Sequence, residues 1–125
     1  MTIAISVIIP VLNNKNGLTD TLNTVMNQSI KQTKYEVIVS DNGSTDGTLE
    51  VINHYRKINP KLILVEEKLK SSYAARNKAI LKATGPILAF IDANMTCPNN
   101  WLEKIIDVFK TLDPDYLGTK VLVKP

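Results

Sequence analysis

Short runs rich in Ile and Val alternate with amphipathic stretches along this chain, and that alternation constrains its fold more than any other feature. Residues 4–10 (AISVIIP), 35–40 (YEVIVS), 61–65 (KLILV) and 87–92 (ILAFID) read as strands of the kind buried in a parallel sheet. Between the first two, residues 17–28 place Leu18, Leu22, Val25 and Met26 at helical spacing. The turn-rich cluster 41–47 (DNGSTDG) follows, with Ser44, Thr45 and Asp46 able to cap a helix that puts Leu49, Ile52 and Tyr55 on one face. Residues 72–83 (SYAARNKAILKA) predict an alanine-rich helix stopped by Gly85 and Pro86. Residues 100–111 predict a helix with Leu102, Ile105, Ile106 and Phe109 inward, and residues 116–123 a fifth strand. This order is that of an α/β domain with an open, mostly parallel sheet and helices on both faces.

A length of 125 residues suits one domain, 1–125, with a sizeable core. No apolar run approaches the roughly 20 residues of a membrane span. Residues 3–11 are apolar but lack a basic start and a small-residue cleavage site, so they read as a strand and not a signal peptide. The net charge of +3 is compatible with an anionic ligand, and no basic block with interleaved aromatics points to nucleic acid. Cys97 is the single cysteine and has no internal partner, which fits a reducing compartment.

Ligands of open α/β sheets bind beyond the carboxyl ends of the strands, where strand order reverses. Three predicted strands end there in polar clusters: Asn13-Asn14, Asp41-Asn42-Gly43-Ser44 and Asp92-Ala93-Asn94. Convergence of the three on one crevice is the expectation. Neither a dinucleotide-type glycine motif nor a phosphate-binding glycine loop is present, so backbone amides are not the expected phosphate cradle. The 41–47 cluster is rich in side-chain acceptors, which suit a donor N–H of a base or a ribose hydroxyl.

Four segments, ISVIIPVLNN, EVIVSDNGSTDGT, SSYAARNKAI and ILAFIDANMTCPNNWL, are similar in order and spacing to the N-terminal half of inverting family 2 glycosyltransferases of GT-A fold. The similarity runs from residue 5 to residue 102. It implies a Rossmann-like nucleotide-diphospho-sugar transferase half-domain, with Pro10, Val11 and Asn13 on one wall of a nucleotide-sugar site. It implies that Asp41 accepts from the base, usually uracil N3–H, and that Arg76 lies near base and diphosphate. Asp92 stands at the first position of the family's Asp-x-Asp motif, and Asn94 at the second acidic position, so Asp92 and Asn94 are the implied ligands of Mg²⁺ or Mn²⁺.

Three departures accompany the resemblance. Asn94 is neutral, which weakens the expected metal affinity. Leu12 replaces an aromatic residue that would stack beside the base. The general base and acceptor-binding part lie, in the family, downstream of the matched region, and Asp107, Asp113 and Asp115 sit in no base-like motif, so the chain is expected to lack them. The implied activity is inverting transfer from a UDP-sugar to a saccharide or lipid-linked acceptor, in the cytoplasm or at the cytoplasmic face of a membrane. The alternative is a noncatalytic nucleotide-sugar-binding or interaction module. A half-domain would also expose a sheet edge and an apolar face, which predicts a homodimer. Lys68, Lys70, Lys78 and His54 are expected at the surface, and Trp101 in the core.

Overall fold

The computed structural model describes residues 2–113 and 122–123. Four strands form the main sheet: β1 (Ile5–Val11), β2 (Tyr35–Asp41), β3 (Leu62–Glu66) and β4 (Ile87–Phe90). They lie in the order β3-β2-β1-β4, every pairing parallel. The helices are α1 (Lys15–Val25), α2 (Thr48–Ile58), α3 (Ser72–Lys82) and α4 (Trp101–Leu112), and a short 3₁₀ turn, Gln32–Lys34, leads into β2.

Alternation of side chains across β1 divides the interior. Ile5, Val7, Ile9 and Val11 pack with Leu18, Leu22 and Val25 of α1, Ile52 of α2, and Trp101, Leu102 and Ile105 of α4. Ile8 and Ile38 face the other way, onto Ala79 of α3. Alanine is what that second face requires, because Ala75 and Ala79 let α3 lie close to the sheet. Helices therefore cover both faces, as the alternation of segments predicts.

Pro10 sits inside the central strand, where a missing N–H ordinarily breaks a ladder. The ladder explains the tolerance. Asn42 donates to the Val11 carbonyl on the β2 side, whereas Ile91 donates to the Ile8 carbonyl on the β4 side. Pro10 points with Ile8 toward β4, and the β1–β4 pairing ends at Ile8↔Phe90. The absent donor thus faces no strand.

The amino ends of the strands are tied by a buried polar group. One carboxylate oxygen of Glu36 accepts from Ser6 Oγ (2.7 Å), the Thr84 amide (2.7 Å) and Thr84 Oγ1 (3.0 Å). Ser6 Oγ in turn accepts from the Gly85 amide at 2.8 Å, so the turn before β4 is fixed to β1 and β2 together.

Two boundaries differ from expectation. β4 ends at Phe90; Ile91 and Asp92 lie beyond it, and a turn at Ala93 and Asn94 leads into β5 (Met95–Thr96). The predicted fifth strand is seen only as β6 (Leu122–Val123), and it pairs antiparallel with β5 in a separate two-stranded sheet and not in the main one. Residues 116–121 of that prediction lie outside the described residues. β5 is too short for any periodicity to reveal it.

Candidate functional site

The strand order reverses between β1 and β4, because β2 and β3 lie on one side of β1 and β4 on the other. A cleft of about 400 Å³ opens at the carboxyl ends there. Pro10, Val11 and Leu12 form one wall, Lys70, Ser71, Ser72, Ala75 and Arg76 another, and Asn14, Asn42, Asp92 and Ala93 complete it.

Asp41, at the end of β2, is 1% exposed. Its Oδ2 accepts from the amides of Gly43 (3.1 Å) and Ser44 (3.0 Å), which is the geometry of a turn closed by its own first residue. Its Oδ1 is buried without a hydrogen-bond partner in the protein. Such an acceptor is costly to leave unmade, and sites that receive a ligand are where it is tolerated. Gly43 and Gly47 adopt φ of 96° and 99°, a region that L side chains rarely enter, so the turn depends on glycine at both places.

The first two polar clusters brace each other. The Asn13 amide donates to Ser44 Oγ at 2.8 Å, and Asn13 Oδ1 accepts from the Thr45 amide at 2.7 Å. The Lys15 amide donates to Asp46 Oδ2 at 3.1 Å, and Asp46 Oδ1 accepts from the Thr48 amide at 3.0 Å. The hydrogen bond from the Thr48 hydroxyl is the main cause that holds the Asp46 carboxyl below its usual range. Asn13 therefore shapes the rim by joining two loops, and it is its neighbour Asn14, the cap of α1, that lines the cleft.

The third cluster divides in the same way. Asp92 lines the cleft, with Oδ1 3.8 Å from an Arg76 guanidinium nitrogen; the two side chains are 61% and 36% exposed. An ion pair this open contributes little to stability and leaves both groups available. Asn94 has φ 89°, and its amide is fixed by the Gly17 carbonyl (3.2 Å) and Thr21 Oγ1 (3.0 Å). Its side chain is exposed and lies outside the cleft lining. Of the sequence candidates, Pro10, Val11, Arg76 and Asp92 meet in the cleft, Asp41 lies buried beside it, and Asn13 and Asn94 stand at its margin.

The β3–α3 loop, with Lys70 and Ser71, is a cleft wall that the sequence reading passed over. The sequence places Lys68 and Lys70 at the surface and gives them no site role, although residues 67–71 too follow a strand's carboxyl end. Asn42 holds this loop: its Nδ2 donates to the carbonyls of Glu67 (2.8 Å) and Leu69 (2.6 Å), and its Oδ1 accepts from the Ser71 amide (2.9 Å).

With this geometry in view, the likeness to known proteins is specific. Residues 6–124 match glycosyl transferase family 2. The chain belongs to that family. This family 2 chain is 40% identical over 118 residues to glycosyltransferase AglE of Haloferax volcanii, a match covering 94% of the chain and 39% of AglE. It superposes on Staphylococcus aureus TarS 1-349 in complex with UDP-GlcNAc with a TM-score of 0.82 at 25% identity, over 94% of the chain and 37% of that protein. It also superposes on the mannosyltransferase PcManGT of Pyrobaculum calidifontis, in complex with GDP-Man and Mn²⁺, with a TM-score of 0.76 at 29% identity, over 94% of the chain and 34% of that protein. The chain thus spans well under half the length of these relatives. The fold is the GT-A arrangement expected from the sequence.

The donor set for a divalent cation is thin. Asp92 is the only carboxylate lining the cleft among the described residues, and no group of three His, Cys, Asp or Glu could hold a metal there. An open carboxylate suits a hard cation that arrives with oxygen ligands of its own, as a diphosphate would supply. No helix among the described residues is long and apolar enough to cross a membrane.

Proposed function

We propose that the cleft binds a nucleotide-diphosphate sugar, a UDP-sugar first, and serves as the donor site for inverting transfer to a saccharide or lipid-linked acceptor. The observation that carries this is Asp41 Oδ1, a buried acceptor with no partner, behind a cleft at the sheet's switch point. An imide N–H of uracil is the donor such an oxygen lacks. Pro10, Val11 and Asn13 are assigned to the wall and rim around the base. Arg76 and Asp92, at the β4 side, are assigned to the diphosphate and its surroundings. Negative charge grows on the diphosphate as the sugar–oxygen bond breaks, and the Arg76 guanidinium would offset it. A bound Mg²⁺ or Mn²⁺ would supply further offset, with Asp92 and Asn94 as the residues we assign to it.

The acceptor hydroxyl must lose its proton during in-line attack. Asp107 lies on α4, beside a different hollow lined by Ala4, Ile30 and Lys34, and Asp113 ends that helix. We therefore assign the base to a group beyond this cleft, in keeping with relatives more than twice as long. The domain is read as 1–125, the donor half of such an enzyme in polysaccharide or lipid-linked glycan synthesis, working in the cytoplasm or at the cytoplasmic face of a membrane. Leu88 and Phe90, exposed on the β4 edge strand, are the surface through which we propose that copies pair.

Calorimetry with UDP, UDP-GlcNAc and GDP, with and without Mn²⁺, tests the reading. UDP should bind, Mn²⁺ should tighten it, and Asp41→Ala should weaken it. Absence of any nucleotide binding would sink the proposal. The second reading, a noncatalytic binding module, is favoured by the single carboxylate in the cleft; binding without donor hydrolysis would support it.

A further inference from the structure

We propose that Lys70 is a nucleobase-reading residue and that Asn42 is the positioning residue that holds it at the base end of the cleft. The inference rests on the donor-site reading above and goes beyond it. The Lys70 ammonium lies over the turn that Asp41 closes, 3.2 Å from the Asn42 carbonyl and 3.4 Å from the Gly43 carbonyl. A Cβ on Gly43 would come within 2.7 Å of that nitrogen, so the ammonium covers the same turn whose amides hold Asp41. Among the described residues no carboxylate lies within ion-pair distance of Lys70, and an ammonium has three donors, of which two are used here.

A donor with spare capacity thus lies over the turn closed by Asp41, whose Oδ1 is a buried acceptor with no partner in the protein. That pair complements a base edge that carries an N–H next to a carbonyl oxygen. Uracil offers N3–H beside O4, and guanine N1–H beside O6. Cytosine and adenine do not offer that pair: the ring nitrogen at this edge bears no hydrogen, and an amine stands in place of uracil O4 or guanine O6. Lys70 would place its third N–H on the carbonyl while Asp41 takes the ring N–H.

The position of Lys70 depends on Asn42. This side chain is 4% exposed and spends all of its amide's described hydrogen bonds on the backbone of the loop, at Glu67, Leu69 and Ser71 on either side of Lys70. A loop released from these three bonds would no longer hold its lysine in register with Asp41. Asn42 touches no reacting atom in this scheme, and its side chain acts through the loop that carries Lys70.

The test is UDP and CDP binding to the full chain by calorimetry, for the unmutated protein, Lys70→Met, Asn42→Ala and the double variant. Lys70→Met should weaken UDP about tenfold, the scale of one hydrogen bond to a charged group, and leave CDP unchanged. Asn42→Ala should weaken UDP to a similar degree, and the double variant should be no weaker than Lys70→Met alone. Equal losses for UDP and CDP would mean that Lys70 acts on the diphosphate, and the base-reading role falls. Additive losses would overturn the positioning role of Asn42. Lys70→Met removes an exposed ammonium and its two bonds to turn carbonyls, and it keeps the test decisive even if Asn42→Ala unfolds. An unmutated chain that binds UDP, with no change in Lys70→Met, overturns this inference alone; no UDP or GDP binding by the unmutated chain overturns the donor-site reading and this one with it.

Discussion

The two oxygens of Asp41 differ: one closes the turn that follows β2, and the other is buried without a partner in the protein. Asp41→Ala should therefore weaken UDP binding by roughly tenfold or more and also lower stability by about 1–3 kcal/mol, because two turn amides lose their acceptor; calorimetry reads the first effect and urea unfolding the second. Asp46 acts through protons. Its folded-state carboxyl titrates below the ordinary value of 3.8, chiefly through the Thr48 hydroxyl. Its contribution to stability is therefore complete above the unfolded value and is lost as pH falls through the folded one. Urea midpoints of the unmutated chain and Asp46→Asn should differ near neutral pH and converge only as pH falls below 3.8. Both roles were partly legible. An acidic residue in a Gly-Ser-Thr turn after a strand announces itself, but the sequence does not say that Asn13 would reach across to Ser44 and Thr45, since that bond joins residues 32 positions apart. The lining role of Asn14 went unassigned for the same reason: a cap and a wall residue are indistinguishable until the helix direction is known.

Elements were legible wherever a period is sustained. α1, α3 and α4 stand within a few residues of the spans that periodicity predicts, and α1 begins two residues earlier, where Asn14 caps it. What periodicity could not supply is the bond between elements. Glu36 lies within a strand that reads as apolar, where a carboxylate suggests a solvent-facing position, yet it is buried and joins β1, β2 and the turn before β4. Glu36→Ala should cost roughly 1–3 kcal/mol in urea unfolding, because a buried amide and two hydroxyls lose their common acceptor. The network lies at the amino ends of the strands and the cleft at the carboxyl ends, so the UDP affinity of the folded variant should stay within about twofold. A drop in affinity comparable to that of Asp41→Ala would mean that the two ends of the sheet are coupled.

For the whole molecule, β3 and β4 are the two edges of the main sheet, and Leu88 and Phe90 of β4 are 36% and 46% exposed, on the same sheet face as Ser6 and Ile8. Light scattering at micromolar concentration should give a dimer mass, and Phe90→Asp should shift it toward the monomer; a monomeric unmutated chain would end the pairing proposal. The β3-β2-β1-β4 order has one more consequence, and it concerns synthesis. The first strand made is the one that ends at the centre of the sheet, paired on one side with residues 35–41 and on the other with residues 87–90. At about 5–20 residues per second on a ribosome, several seconds separate the arrival of its two partners. For that interval Ile5–Val11 has one open edge and no strand to close it. Slower translation between residues 41 and 87 should lengthen that interval.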